Sequence, residues 1–240
     1  MTSLPLSGRL AVVTGGTRGI GAATAECLLA QGARVIATGR EPGGTPPAGA
    51  EYRAVNFSDA ASTEAFATTI AGDPVDILVN NAGINRVAPL NELPVDAFDE
   101  IMTVNLRGAY LLCRAVLPGM RARGWGRILN VSSVFGVVSK EFRAPYSASK
   151  FALDGMTAGL AAEVAKDGVL ANCVAPGFVE TDLTRGVLGE EGMRAMAARI
   201  PMGRLAQPAE IARFIAWLAG PDNTYISGQT LVIDGGYIRV

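Results

Sequence analysis

The sequence predicts an α/β fold, a doubly wound parallel sheet of about seven strands with helices on both faces. Three observations carry that prediction. Short apolar runs alternate with stretches of helical periodicity along the chain, the pattern of strands joined by crossover helices. The first run feeds a glycine-rich turn that opens directly into a helix. The 240 residues, 49% of them hydrophobic, suffice for one sizeable core and one domain over residues 1–240.

The first strand, Arg9-Leu10-Ala11-Val12-Val13, runs into Thr14-Gly15-Gly16-Thr17-Arg18-Gly19-Ile20-Gly21. Ile20, Ala23, Thr24, Cys27 and Leu28 then fall at helical spacing, and Gln31-Gly32 closes that helix. Strand, turn and helix form a phosphate cradle: the glycines let the backbone approach a pyrophosphate, which the helix N-terminus stabilises. The spacing, Gly15-x-x-x-Gly19-x-Gly21, differs from the common G-x-G-x-x-G. A second strand, Arg34 to Thr38, ends at Gly39-Arg40. A ribose with a free 2′-hydroxyl usually meets an acidic residue about 20 positions after the glycines. Gly39 stands there instead and leaves room for a 2′-phosphate. Arg40 can bind that phosphate, with Arg18 as a second partner, which indicates NADP(H). Glu41 keeps NAD(H) open, because a one-residue shift would bring its carboxylate to the ribose.

Glu41 to Ala50 is the one breaker-rich segment, a surface loop too short to link two domains. Glu51 to Asn56 resumes as a strand, and Ser58-Asp59 caps a helix over Ala60 to Ala71. The fourth strand, Asp76 to Val79, leads into Asn80-Asn81-Ala82-Gly83, whose amides can brace neighbouring loops. A long helical region covers Val95 to Arg121 with a broad apolar face, and Asn105 sits among its apolar residues. A buried amide needs partners. Asn105 therefore either caps a local helix break or orders water. Arg127 to Val131 is a buried strand, Ser147 to Ala165 a helix, and Val169 to Val174 a sixth strand ending at Ala175-Pro176-Gly177. Phe178 to Pro201 is mixed and rich in Gly and Met, as suits a mobile lid beside a crevice, residues 178–201. Ala209 to Leu218 is a helix and Thr230 to Ile233 the last strand.

The chemistry concentrates in Val131-Ser132-Ser133 and Tyr146-Ser147-Ala148-Ser149-Lys150. Tyr146 and Lys150, four apart, project from one helix face on successive turns. An ammonium beside a phenol favours the phenolate, which predicts a Tyr146 pKa below its free value of about 10 and proton exchange near neutral pH. Ser133 closes a parallel strand, at the end of the sheet where ligands bind in α/β folds.

Composition narrows the partners. The formal net charge of −1 gives no reason to expect nucleic acid or an anionic membrane. No run approaches the roughly 18 apolar residues of a membrane span, and the first residues lack a signal-peptide pattern. Cys27, Cys113 and Cys173 read as reduced core thiols of a cytoplasmic protein. With no histidine in the chain, catalysis is expected to run on other side chains and without a metal.

The sequence resembles the short-chain dehydrogenase/reductase family in its compact form. The likeness rests on Thr14-Gly15-x-x-x-Gly19-x-Gly21, Asn80-Asn81-Ala82-Gly83, Asn105, Ser133, Tyr146-x-x-x-Lys150 and Pro176-Gly177, in family order and spacing. It implies a Rossmann fold binding NADP(H) or NAD(H), with hydride transfer between nicotinamide and a carbonyl or alcohol carbon. By that likeness Tyr146 is the general acid in reduction and Ser133 hydrogen-bonds the substrate oxygen. Lys150 holds the nicotinamide ribose and tunes Tyr146, while Asn105 orders a relay water. The thirteen-residue gap to Tyr146 selects Ser133 over Ser132. The resemblance also implies cofactor contacts from Gly15, Thr17, Arg18, Gly19, Ile20 and Gly21 in the turn, and from Gly39, Arg40, Asn56 and Phe57 at the adenosine end. Asn81, Ala82, Gly83, Val104, Tyr146, Lys150, Pro176, Gly177, Val179 and Thr181 complete the set. One departure is that the family's helix after the second strand is replaced by the Pro/Gly loop.

Within the family the sequence is similar to 3-oxoacyl-thioester reductases and to sugar, polyol and secondary-alcohol dehydrogenases. Against the reductase stands a dinucleotide-binding sensor without turnover, which would have lost part of the set Asn105, Ser133, Tyr146 and Lys150. Specificity is expected in the lid and around Val134 to Phe142, where Lys140 and Arg143 read first as solvated charges and second as partners of an anionic substrate. The apolar faces of Val95–Arg121 and Ser147–Ala165 predict a homo-oligomer, a tetramer by resemblance.

Overall fold

The computed structural model describes residues 4–239. Its centre is a seven-stranded sheet, all parallel, in the order β3-β2-β1-β4-β5-β6-β7. The strands are β1 (Leu10–Val13), β2 (Arg34–Gly39), β3 (Glu51–Ala54), β4 (Val75–Asn80), β5 (Gly126–Val131), β6 (Val169–Pro176) and β7 (Thr230–Ile233). They form because parallel strands covered on both faces read as continuous apolar runs, and β1, β4 and β5 are buried throughout.

Strand alternation sends side chains to two cores. Leu10, Val12, Leu78 and Ile128 belong to one, together with Leu112 and Val116 of α4 (Gly108–Arg123) and Ile70 of α2 (Ala60–Ala71). Ala11, Val13, Ile77 and Leu129 point the other way, onto Leu28 of α1 (Gly19–Ala30) and Ile211 and Ile215 of α7 (Pro208–Leu218). The strand order turns back between β1 and β4, which opens a crevice at their carboxyl ends.

Three segments depart from the simple alternation. Between β2 and β3 there is no helix, as the Pro/Gly run predicts. Tyr52 of β3 ties that loop down by donating to the Glu41 carbonyl, and its ring edge lies over Gly39 and Gly44, where a Cβ would collide with it. The predicted helix Val95–Arg121 is instead α3 (Val95–Met102), a π-turn (Thr103–Arg107) and α4. The Gly108 amide bonds Thr103 O, five residues back. The third is 178–201, expected as an irregular lid. It is mostly helical, α6 (Asp182–Ala197), bent at Gly189 with φ 63° and ψ 176°. Its Met193 and Met196 pack with Ile200 and Leu205 in a small cluster of their own. Among the described residues no helix is long and apolar enough to cross a membrane.

Candidate active site

The glycine turn is shaped by backbone contacts. Gly15 and Gly19 have φ of 61° and 56°, a left-handed conformation that side chains disfavour. A Cβ on Gly21 would overlap Gly15 O and stand 2.5 Å from Asn81 Nδ2. Asn81 braces the turn from β4, donating Nδ2 to Thr14 O at 2.9 Å and Gly15 O at 3.2 Å. The Thr14 hydroxyl accepts from the Asn81 and Ala82 amides, each at 2.9 Å. At the start of α1, Arg18 makes no side-chain cap and the first turn carries no acidic residue. Its free amides and helix dipole therefore suit an anion.

That turn borders a cleft of about 420 Å³. Gly15, Thr17, Arg18, Gly19 and Ile20 line its floor, with Asn81, Ala82 and Gly83 from the end of β4. Gly39, Arg40, Asn56 and Phe57 close one end, Thr181 the other, and Val104 reaches in from the π-turn. Arg40 lines the cleft and Glu41 does not. Both arginines are exposed: Arg40 Nε is 3.6 Å from Glu41, and Arg18 Nη1 is 3.9 Å from Asp182. Such surface pairs hold weakly and leave the guanidiniums available. Gly39 lines the cleft, but it has no room for a side chain of its own. A Cβ there would stand 2.9 Å from Thr17 Cγ2 and 2.9 Å from the Tyr52 hydroxyl.

A second, smaller cavity of about 90 Å³ adjoins Ser133 and Tyr146. Tyr146 lies in the first turn of α5 (Ala144–Val164), and Ser133 follows the carboxyl end of β5. The Ser133 hydroxyl accepts from the Phe135 amide at 3.1 Å, which fixes its position in the loop. Phe135, Gly177, Phe178 and Leu183 contribute walls, and Phe178 stacks edge-on between Phe135 at 6.0 Å and Tyr237 at 5.2 Å.

Lys150 lies one turn beyond Tyr146, as the spacing requires, yet its ammonium does not hold the phenol. Nζ donates to Val131 O at 2.8 Å and is 5.7 Å from the Tyr146 ring centre. Burial therefore dominates and raises the Tyr146 pKa above its ordinary value, opposed only in part by Ser133 and Arg143. This reverses the expected direction. Burial also lowers Lys150, to about 8.

Asn105 lies in the helix break without capping it, since its partners are outside the turn. It sits in the π-turn, 2% exposed, accepting from Ile84 N at 2.8 Å and donating to Ile84 O at 2.9 Å. It also donates to Ser149 Oγ at 3.0 Å, and Ser149 donates to Tyr146 O at 2.7 Å. A chain of hydrogen bonds thus joins the β4 loop, the π-turn and the first turn of α5. Ser149 carried no sequence signal beyond its place in the Tyr/Lys stretch.

A glycine cradle thus lies at the switch point with a Ser/Tyr/Lys/Asn constellation beside it, and known proteins match this chain over nearly its whole length. The family described as enoyl-(acyl carrier protein) reductase matches residues 15–238. The chain belongs to the short-chain dehydrogenase/reductase family. The 3-oxoacyl-[acyl-carrier-protein] reductase FabG of Vibrio harveyi is 42% identical over 98% of this chain and 99% of that protein. The Escherichia coli K12 protein of the same name is 39% identical over 97% and 98%. Among solved structures, a gluconate 5-dehydrogenase from Burkholderia cenocepacia in complex with NADP and tartrate superposes with TM-score 0.89 at 33% identity, covering 99% of this chain and 98% of that one. A protein from Beutenbergia cavernae, provisionally described as an NAD(P)-dependent gluconate 5-dehydrogenase and with NADP bound at low occupancy, gives TM-score 0.92 at 36% identity over all of both chains. The protein is accordingly an NAD(P)-dependent oxidoreductase of the short-chain dehydrogenase/reductase family.

Not every residue that the family resemblance suggested reaches the cleft. Gly21 lies beneath the turn, where it permits the packing just described. The Val179 side chain is buried in the core with Ile211, and its backbone pairs with Ala206. Pro176 ends β6, and the Gly177 amide bonds Ile233 O at 2.9 Å, holding that loop against β7. Of the two charges near the site, Lys140 pairs with Glu141 at 3.5 Å. Arg143, read first as solvated, is only 7% exposed and lines the smaller cavity. Asn85, which no sequence signal marked, lines it too.

Proposed function

We propose that the protein is an NADP(H)-dependent reductase of 3-oxoacyl compounds, working on a carbonyl held between Ser133 and Tyr146. The observation that carries the reading is the placement of both hydroxyls on one cavity that shares Leu183 with the cleft. The uncapped, acid-free start of α1 fits a pyrophosphate, and Arg40 and Arg18 fit a 2′-phosphate at the adenosine end. When bound there, the nicotinamide supplies the hydride.

The chain's own residues do the rest. As negative charge develops on the carbonyl oxygen, Ser133 and Tyr146 donate to it, and Tyr146 gives up its proton. A phenol raised by burial stays protonated at neutral pH and is thus armed as an acid. Lys150, anchored on Val131 O, offers its remaining protons to the nicotinamide ribose. Beside it a cavity of about 10 Å³, with Asn105 and Thr14 on its walls, is close to the volume that one water needs. A water there would join Asn105 to Lys150, as part of a route by which Tyr146 regains a proton. The relatives named as 3-oxoacyl reductases support the substrate class and the NADP-bound neighbours the cofactor.

The same proposal includes a cytoplasmic single domain, residues 178–201 as its lid, and a homotetramer. Exposed Tyr110 lines the grooves along α4 and α5, and Phe151 of α5 is exposed too, a face suited to a second copy. The deciding experiment follows nicotinamide absorbance with a series of 3-oxoacyl thioesters, 3-oxo acids and sugar acids, using each cofactor. NADPH oxidation by a 3-oxo compound is the expected result. Turnover confined to sugar acids, or to NADH, overturns it.

A further inference from the structure

The smaller cavity contains a cation with no partner. Arg143 Nε and Nη1 are both buried and make no hydrogen bond, although a guanidinium carries five donors. Its Cζ lies 5.9 Å from the Phe135 ring centre, and the nearby Tyr146 and Glu141 offset its burial only in part. The position is unfavourable for a cation in its own right, since Arg143 is the N-cap of α5, where the helix dipole favours negative charge. Burial lowers its pKa. The backbone is strained to bring it there: Phe142, the preceding residue, has φ 65° and an exposed side chain. A bulky residue in that conformation is an outlier that costs about 1–3 kcal/mol. Asn85 Oδ1 is likewise buried in this cavity without a partner.

An unpaired buried charge and a strained turn together call for a ligand that offsets both costs. We propose that Arg143 is a specificity-determining residue that binds a carboxylate of the substrate, so that the enzyme acts on small oxo acids rather than on their thioesters. The inference rests on the reading of Ser133 and Tyr146 as the carbonyl-binding pair. Arg143 and Tyr146 are three residues apart at the start of one helix and line the same small cavity of about 90 Å³. The carboxylate and the reacting carbonyl therefore lie within a few bonds of one another, as in a 2- or 3-oxo acid. A guanidinium takes a carboxylate through two parallel N–H donors, and the helix N-terminus adds to the attraction. Asn85 Oδ1 can accept from a substrate hydroxyl.

The test compares 3-oxobutanoate with its ethyl ester and its N-acetylcysteamine thioester in wild type, Arg143→Gln and Arg143→Lys. Wild type is expected to favour the acid by at least tenfold in kcat/KM. Arg143→Gln should lower kcat/KM for the acid by roughly ten- to a hundredfold, mostly through KM, and leave the esters within about threefold. Arg143→Lys should recover part of the loss. A separate readout needs no turnover. Calorimetric titration of the NADPH-loaded protein with 3-hydroxybutanoate, a dead-end pair, should give a Kd at least tenfold weaker in Arg143→Gln, with no fall in melting temperature and unchanged NADPH affinity. Thioester preferred over acid in wild type, equal losses on acid and ester in Arg143→Gln, or equal calorimetric affinities overturns the role of Arg143 while the oxidoreductase reading stands. Carboxylate binding that depends on Arg143 without reduction of any 3-oxo compound sustains Arg143 and overturns the substrate class.

Discussion

The two sides of the catalytic crevice are built differently. The cofactor side stands on the main sheet: its glycines touch neighbouring backbone, and Asn81 and Thr14 lock the β1 and β4 loops together. The substrate side is walled by α6, which rests on a small methionine-rich cluster and bends at a glycine with open space around it. On one side a single extra methyl group has nowhere to go. On the other the chain tolerates bulk but depends on one backbone conformation. Dinucleotide binding is thus embedded in the fold itself, whereas substrate choice is carried by an attached element that can change without rebuilding the core.

The largest effect belongs to the residue where the two sides meet. Tyr146→Phe is expected to lower kcat roughly 10²–10⁴-fold, the range of general acid–base catalysis, with NADPH affinity held within a few fold. Retained turnover would remove Tyr146 from the mechanism. The raised Tyr146 pKa also sets signs for wild type. Reduction needs the protonated phenol and should hold through neutrality and fall at alkaline pH. Oxidation of the alcohol needs the phenolate and should climb over the same alkaline range. Rate–pH profiles in both directions check this.

Arg40→Ser should reduce the preference for NADP(H) over NAD(H) by about ten- to a hundredfold, in keeping with a charge-assisted hydrogen bond of roughly 1.5–3 kcal/mol. The ratio of kcat/KM values measures it, and an unchanged ratio removes Arg40 from the 2′-phosphate. Gly39→Asp is a poorer probe than its position suggests, since the new side chain would have to displace Tyr52 and Thr17.

A pair of glycine substitutions sharpens the contrast most directly. Gly21→Ala should cost about 1–3 kcal/mol through overpacking, lowering the melting temperature and weakening NADPH together. Gly189→Ala meets no atom within 4 Å and should act only through its backbone, at φ 63° and ψ 176°. Its expected outcome is a severalfold rise in substrate KM with NADPH affinity unchanged. Comparable cofactor losses in both variants would abolish the distinction between the sides.

Much of this was legible in the chain. Most of the seven parallel strands announce themselves as apolar runs, the edge strand β3 being the exception, and the absent helix after β2 is written in its prolines and glycines. The α6 helix was not legible, because Gly186, Gly189 and Gly192 interrupt its periodicity and its Met193 and Met196 pack on Ile200 and Leu205 beyond its end. Spacing put Tyr146 and Lys150 on one face but could not say where the ammonium turns, so the sign of the tyrosine shift was lost. Arg143 failed for a related reason. Charge is read from the sequence and burial is not, and only burial turns a surface arginine into one in need of a partner.

The π-turn at Thr103–Arg107 spaces its hydrogen bond one residue wider than an α-helix does. Each helical residue advances the phase by about 100°, so the extra one sets the inward face of α4 off from that of α3 by about that angle. Ile101 on one side of the turn and Leu112 on the other are both fully buried across this offset. A one-residue deletion here would act in space as a frameshift acts in a gene. Every downstream side chain of α4 would keep its identity and lose its neighbours, and Asn105 would turn away from Ile84.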